Sequence, residues 1–128
     1  MEMTMTTEEA LERVVDLLKR GNLMAVYDFY ADDAVEERPQ SGERIVGKKN
    51  VQAVNDAYPE MPTVTPRRVL YAGNLVVAEA TMDYGENGKY DAVSVFGFKD
   101  GKIVRETSYW AEPFAAPERR SQYVEKIA

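Results

Sequence analysis

The stretch 75-LVVAEATMDYGENGKYDAVSVFGFKDGKIVRETSYWA-111 decides the fold. It holds three runs rich in apolar, β-branched and aromatic residues: Leu75 to Tyr84, Tyr90 to Phe98 and Lys102 to Ala111. The links between them are Glu86-Asn87-Gly88 and Asp100-Gly101. Asn-Gly and Asp-Gly tolerate positive φ at the turn positions, so they mark tight hairpins between strands. A fourth run, Pro66 to Ala72, enters through Gly73-Asn74. The expected product is a four-strand antiparallel meander.

The chain before this meander reads differently. Residues 1–5 look like a frayed start. Thr6-x-x-Glu9 fits a capping box, and Leu11, Val14, Val15 and Leu18 recur at helical spacing. Gly21 closes that helix, and Asn22 can cap a second, shorter one through Leu23, Val26, Tyr27 and Tyr30. Ala31-Asp32-Asp33 reads as the end of that helix, and Ala34 to Arg38 as a short strand. Pro39 to Gly42 is a turn, Gly47 precedes a third helix over Lys48 to Ala57, and Pro59 and Pro62 end it. After Ala111 the chain becomes irregular; residues 112–128 form a C-terminal extension in which Pro117 opens a last helical turn. Three helices followed by strands give an α+β class. The expected architecture is three N-terminal helices packed in a curved antiparallel sheet, leaving a cone-shaped internal pocket.

Composition removes whole classes of chemistry. The 128 residues suit one domain with its own core. The net charge is −6 with no basic block, which argues against nucleic acid and anionic membrane as partners. There is no histidine and no cysteine. A Ser-His-Asp or Cys-His nucleophile cannot be built, nor a His/Cys zinc site, a His-ligated heme or a Cys-ligated cluster. No metal or cofactor is expected, and any acid–base work falls to Asp, Glu, Tyr or Lys. No signal peptide or 18-residue apolar run is visible, and a cytoplasmic protein is expected.

Four motifs then carry a resemblance: Tyr30-Ala31-Asp32-Asp33-Ala34, Gly47 before the third helix, Phe98-Lys99-Asp100-Gly101-Lys102-Ile103, and Ser108-Tyr109-Trp110-Ala111-Glu112. In order and spacing the chain resembles the nuclear transport factor 2-like superfamily, in its SnoaL-like and ketosteroid isomerase-like branch. The resemblance implies one SnoaL-like domain over residues 1–128 with a cystatin-like cone. The superfamily mixes isomerases, cyclases, epoxide hydrolases, dehydratases and binding domains, so fold alone does not give function. Position by position, the base Asp of ketosteroid isomerases corresponds to Arg38, their oxyanion Tyr to Val14 and their oxyanion acid to Ser94. Arginine stays protonated and cannot be a base. The Asp of limonene epoxide hydrolase-like enzymes corresponds to Ser108, and the His-Asp pairs of the dehydratases and SnoaL-like cyclases have no His here.

Strand alternation supplies a different site. If Trp110 faces the cone, as the resemblance implies, Ser108 and Glu106 face it too. The same parity brings Phe96, Ser94 and Ala92 inward from the neighbouring strand, Glu79 and Val77 from the one before, and Glu36 with Arg38 from the short first strand. Tyr30 and Asn55 would sit on the helical side, with the Tyr30 hydroxyl bonded to Asn55 or to backbone. A carboxyl group in an apolar cone resists ionisation, and a nearby Arg opposes that. Glu106 and Glu79 are the candidate catalytic residues, Glu106 as proton shuttle. Arg38 would fix an oxyanion or carboxylate of a ligand, with Glu36, Ser94, Ser108, Trp110, Tyr30, Asn55 and Phe96 around it. The same residues also fit a buried Arg–Glu pair that only fixes the cone mouth. Three functions stay open: an isomerase- or cyclase-type enzyme on a small apolar substrate, a non-catalytic binding module, and a dimerisation scaffold with a filled cone. A homodimer is expected on family analogy, through an outer sheet face carrying Val93, Val95 and Gly97.

Overall fold

The computed structural model describes residues 5–58 and 60–127. Helix α1 spans Thr7–Lys19, and its capping box is formed as read: Thr6 Oγ1 accepts from the Glu9 amide at 3.1 Å, and the Glu9 carboxylate accepts back from the Thr6 amide at 3.4 Å. Its apolar stripe, Ala10, Leu11, Val14, Val15 and Leu18, is buried against the sheet. Each large side chain on such a stripe contributes about 1.5–3 kcal/mol on burial. Helix α2, Leu23–Val26, starts on Asn22, whose side chain accepts from the Ala25 amide. A single 3₁₀ turn, Tyr27–Phe29, then feeds strand β1.

Six strands follow the helices' lead: β1 Tyr30–Arg38, β2 Glu43–Val46, β3 Thr63–Ala72, β4 Leu75–Asp83, β5 Lys89–Lys99 and β6 Lys102–Ala111, with α3 at Lys48–Asp56. They form one sheet in the order β2-β1-β6-β5-β4-β3. The four strands of the second half make the expected antiparallel meander, with Asp100 and Gly101 both at positive φ in the β5–β6 turn. The whole sheet is mixed, however, because β1 lies parallel to β6. A strand arriving from the far end of the chain is free of hairpin geometry and can run either way. The sheet is curved but open, with β2 and β3 at its edges, and does not close into a barrel.

Three local expectations change. Strand β2 is absent from the reading because it is four residues long and buries only Ile45. Ala31-Asp32-Asp33 does not end a helix; it bulges within β1, which advances five residues, Tyr30 to Val35, while β6 advances two, Ile103 to Arg105. Both aspartates face solvent there. Strand β3 extends back to Thr63 across Pro66, which an edge strand tolerates at the shift between Pro66 and Arg68.

The expected frayed start, residues 1–5, lies outside the described residues except for Met5, which packs on the core. Pro59 also lies outside them. The Gly101 amide donates to Thr7 Oγ1 at 3.0 Å, tying the β5–β6 turn to the start of α1. A side chain at Gly101 would run into the Met5 carbonyl. Beyond β6, a 3₁₀ segment at Glu118–Tyr123 follows Pro117, and Phe114, Tyr123 and Ile127 are exposed.

Candidate functional site

The parallel pairing of β1 and β6 builds the site. Its register sets Glu36 directly beside Glu106 and Val35 beside Arg105. Tyr30, Glu36 and Arg38 turn inward from β1, and Glu106, Ser108 and Trp110 turn inward from β6. Strand β5 adds Ala92, Ser94 and Phe96 through the pairs Ala92–Trp110, Ser94–Ser108 and Phe96–Glu106. Two carboxyl groups therefore stand side by side in the interior, with Glu36 and Glu106 both buried.

They are treated differently by their neighbours. The Glu36 carboxylate accepts from Arg38 Nε at 2.9 Å and from Ser108 Oγ at 2.8 Å. Ser108 Oγ in turn accepts from Trp110 Nε1 at 3.3 Å. Among the described residues Glu106 has no cation of its own; Tyr30 Oη donates to its Oε1. Burial is the largest force on Glu106 and pushes its pKa up, and the negative Glu36 adds to that. Hydrogen bonds from Tyr30 and Ser94, and the charge of Arg38, pull it back, leaving it at about 7. Burial and the same carboxyl raise the Tyr30 phenol well above its ordinary range, so it remains a donor. Burial and Glu106 likewise raise Tyr27. Burial opposes the charge on Arg38, but Glu36 outweighs it and holds the guanidinium protonated.

This arrangement corrects one candidate and relocates another. Glu79, expected inward with Val77, borders the inner cavity, but its carboxylate turns to the other face of β4. The β4–β5 register pairs Ala78 with Ser94 and Glu79 with Val93, so Val76, Ala78, Ala80 and Met82 face in. The five-residue link between Asp83 and Lys89 sets this phase, and one residue of difference turns a whole strand over. Glu79 pairs instead with Arg68 across β3. Asn55 borders the cavity, but its Nδ2 donates to the Val51 carbonyl of its own helix at 2.8 Å, and the Tyr30 hydroxyl meets Glu106 rather than Asn55. Among the described residues no three Asp or Glu side chains converge in a metal-holding group.

Space around these groups comes in two compartments. An inner cavity of about 90 Å³ reaches Tyr27, Tyr30, Ser94, Phe96 and Glu106. An outer vestibule of about 280 Å³ lies between the β1–β2 turn, the end of α3 and the β4–β5 link. Arg38, Tyr58, Tyr84 and Trp110 line both. Arg38 Nη1 donates to the Tyr58 hydroxyl at 3.2 Å, and its guanidinium carbon sits 5.8 Å from the Trp110 ring centre. Tyr84 packs 5.3 Å from Tyr58 and 6.0 Å from Tyr90, centre to centre, and burial pushes its pKa up to about 12. The sequence reading found Trp110 and missed Tyr58, Tyr84 and Tyr90. Their one available signal was the count of eight tyrosines in 128 residues.

A family model, the SnoaL-like domain, matches residues 11–106, from the middle of the first turns of α1 to the site carboxyl itself. The chain belongs to the SnoaL-like domain family. Solved structures agree with this. An NTF2-like protein of unknown function from Burkholderia xenovorans is 39% identical, with 95% of each chain covered and a TM-score of 0.75. A candidate ketosteroid isomerase from Kribbella flavida is 26% identical over 99% of this chain and 95% of its own, with a TM-score of 0.77. A candidate SnoaL-like polyketide cyclase from Mesorhizobium loti, 22% identical over 82% of this chain and 99% of its own, shares the fold at a TM-score of 0.67. None of the curated proteins matches the chain. Within this SnoaL-like domain Arg38 holds the position where the resemblance to ketosteroid isomerases implied a base, and the interior carboxyls are Glu36 on β1 and Glu106 on β6. No described helix is long and apolar enough to cross a membrane.

Proposed function

We propose that this SnoaL-like domain is an isomerase-type acid–base catalyst acting on a small molecule, with Glu106 as the proton shuttle. The observation that carries the reading is a buried carboxyl on the wall of a cavity, bonded to a phenol and with no cation of its own among the described residues. A group that titrates near neutral pH holds useful amounts of both acid and base forms. As carboxylate, Glu106 would take a proton from carbon next to a carbonyl; as acid, it would return the proton to another carbon of the same molecule. Glu36 stays with Arg38 and Ser108 and keeps the second charge in place. The similarity to a candidate ketosteroid isomerase supports the reaction class. The inner cavity admits only a few heavy atoms, since 150 Å³ is about what one benzene needs. The reacting end must therefore be small.

The test is hydrogen–deuterium exchange next to the carbonyl of small cyclic enones in heavy water, followed by NMR. The wild-type chain should accelerate exchange, and Glu106→Gln should lose at least about a hundredfold, the usual weight of general acid–base catalysis. Equal rates in the two proteins would sink the role. A second reading is a non-catalytic binding module. It is favoured by the absence, among the described residues, of any buried side-chain nitrogen or oxygen without a partner. It expects ligand binding that ignores Glu106→Gln.

We also propose a homodimer through the outer sheet face. Leu70, Leu75 and Tyr109 are exposed there beside half-buried Val77, Val93 and Val95, and monomers seldom leave such faces open. Light scattering should give about twice 14.5 kDa. A mass near 14.5 kDa would refute it.

A further inference from the structure

The vestibule has features that the acid–base reading does not use. It is bordered by three tyrosines, Tyr58, Tyr84 and Tyr90, and by Trp110. Neighbouring rings meet steeply, Tyr84 with Tyr90 at 76° and Tyr90 with Trp110 at 78°, so both ring faces and ring edges border the space. Such a lining favours a flat unsaturated body over a flexible chain. Among the described residues Arg38 is the one cation in the lining. Its Nε is taken by Glu36 and its Nη1 by Tyr58, while its Nη2 has no partner among the described residues. The half-buried guanidinium is already anchored by two bonds beside the Trp110 ring, so an incoming anion need not order it. Glu43 also borders the vestibule, and its carboxylate is engaged by the Ser41 hydroxyl.

We propose that the vestibule is a binding site for a planar aromatic carboxylate, its ring between the tyrosines and Trp110 and its carboxylate on Arg38 Nη2. The site shares Arg38 with the reading above but does not require Glu106 to act. The chain has a single tryptophan, so one indole N–H signal in a ¹⁵N-correlated NMR spectrum reports the site. The probes are 2-naphthoate, its uncharged twin 2-naphthamide, and the cationic 2-naphthyltrimethylammonium.

Titration with 2-naphthoate should move the Trp110 indole signal to saturation, with affinity at least about tenfold above that for the amide, the usual gain from a charge-assisted bond. Arg38→Lys keeps the charge beside Glu36 but loses the free edge of the guanidinium, and should weaken 2-naphthoate about tenfold. Tyr90→Leu removes one wall away from the Glu36 network and should weaken both naphthoate and amide. Glu106→Gln should bind 2-naphthoate within about twofold of wild type while losing proton exchange, so the two proposals fail separately. Four results overturn this one: no saturable shift with 2-naphthoate, equal affinity for the amide, tighter binding of the ammonium, or loss of naphthoate binding in Glu106→Gln.

Discussion

Glu106→Gln should make this protein more stable at alkaline pH, and the size of the gain follows from its surroundings. Glu106 is buried, and its pKa rises from an ordinary 4.5 to about 7, chiefly through burial and the charge on Glu36. A raised carboxyl pKa means that the folded state holds the proton more tightly than the unfolded one. The stability tied to this proton is therefore full below about pH 4.5 and lost as pH climbs through about 7. The gap of roughly two and a half units corresponds to about 3 kcal/mol at 1.36 kcal/mol per unit. Glutamine has nearly the same shape, its oxygen can accept from Tyr30, and its amide can reach Ser94, so it lacks the ionisation and keeps the contacts. Wild type and variant should differ by about 1 kcal/mol at about pH 5, and the variant should be ahead by about 3 kcal/mol at about pH 8. In a domain of this size that is roughly 10 °C in Tm. Urea unfolding of both proteins across that range measures it. Parallel stability curves, or a variant that falls behind as pH rises, would refute the reasoning.

Other perturbations test neighbouring parts. Tyr30→Phe removes a hydrogen bond that favours the Glu106 carboxylate, so the Glu106 titration, followed by NMR, should shift further upward. Arg38→Met leaves the Glu36 charge buried beside Glu106 and should cost about 3–5 kcal/mol in chemical denaturation. The double variant Arg38→Met, Glu36→Gln should recover much of that loss. Gly101→Ala should cost about 1–3 kcal/mol, because the residue sits at φ +77° and a side chain there meets the Met5 carbonyl. The loss should disappear in chains that begin after Met5 only to the extent that the carbonyl causes it, which thermal melts of both chains will separate.

What could be read before the structure was local. The capping box at Thr6 and the Asp100-Gly101 turn each depend on residues within a few positions, and both form as expected. Alternation along one strand carried Ser108 and Glu106 inward once the resemblance implied that Trp110 faces the cone. Failures came where two distant segments set the phase. Glu79 turned out because the link through Gly85 to Asn87 fixes which residues oppose each other, and the loop's length can be read without its geometry. The direction of β1 against β6 depends on a partner some 70 residues away, so no local pattern encodes it. Glu36 was expected on one face with Arg38, but that it shares a register position with Glu106, and that only Glu36 is tied to Arg38, is a tertiary fact. Tyr84 and Tyr90 flank the β4–β5 link, whereas Tyr58 follows α3 and meets them only in space.

The β1–β6 pairing also sets when the site can exist. Tyr30 and Glu106 are 76 positions apart, and Ser108 and Glu36 are 72 apart. Closing a loop of that length costs chain entropy before any contact repays it, which delays such pairings relative to local hairpins during folding. The β3–β6 meander can assemble from neighbours alone, whereas the carboxyl pair comes into being only when the first third of the chain docks on its last strand. Until then Glu36 and Glu106 remain hydrated, apart and ordinary. The perturbed chemistry of Glu106 is thus a signature of completed folding: a nascent chain still missing β6 has no half-built version of it.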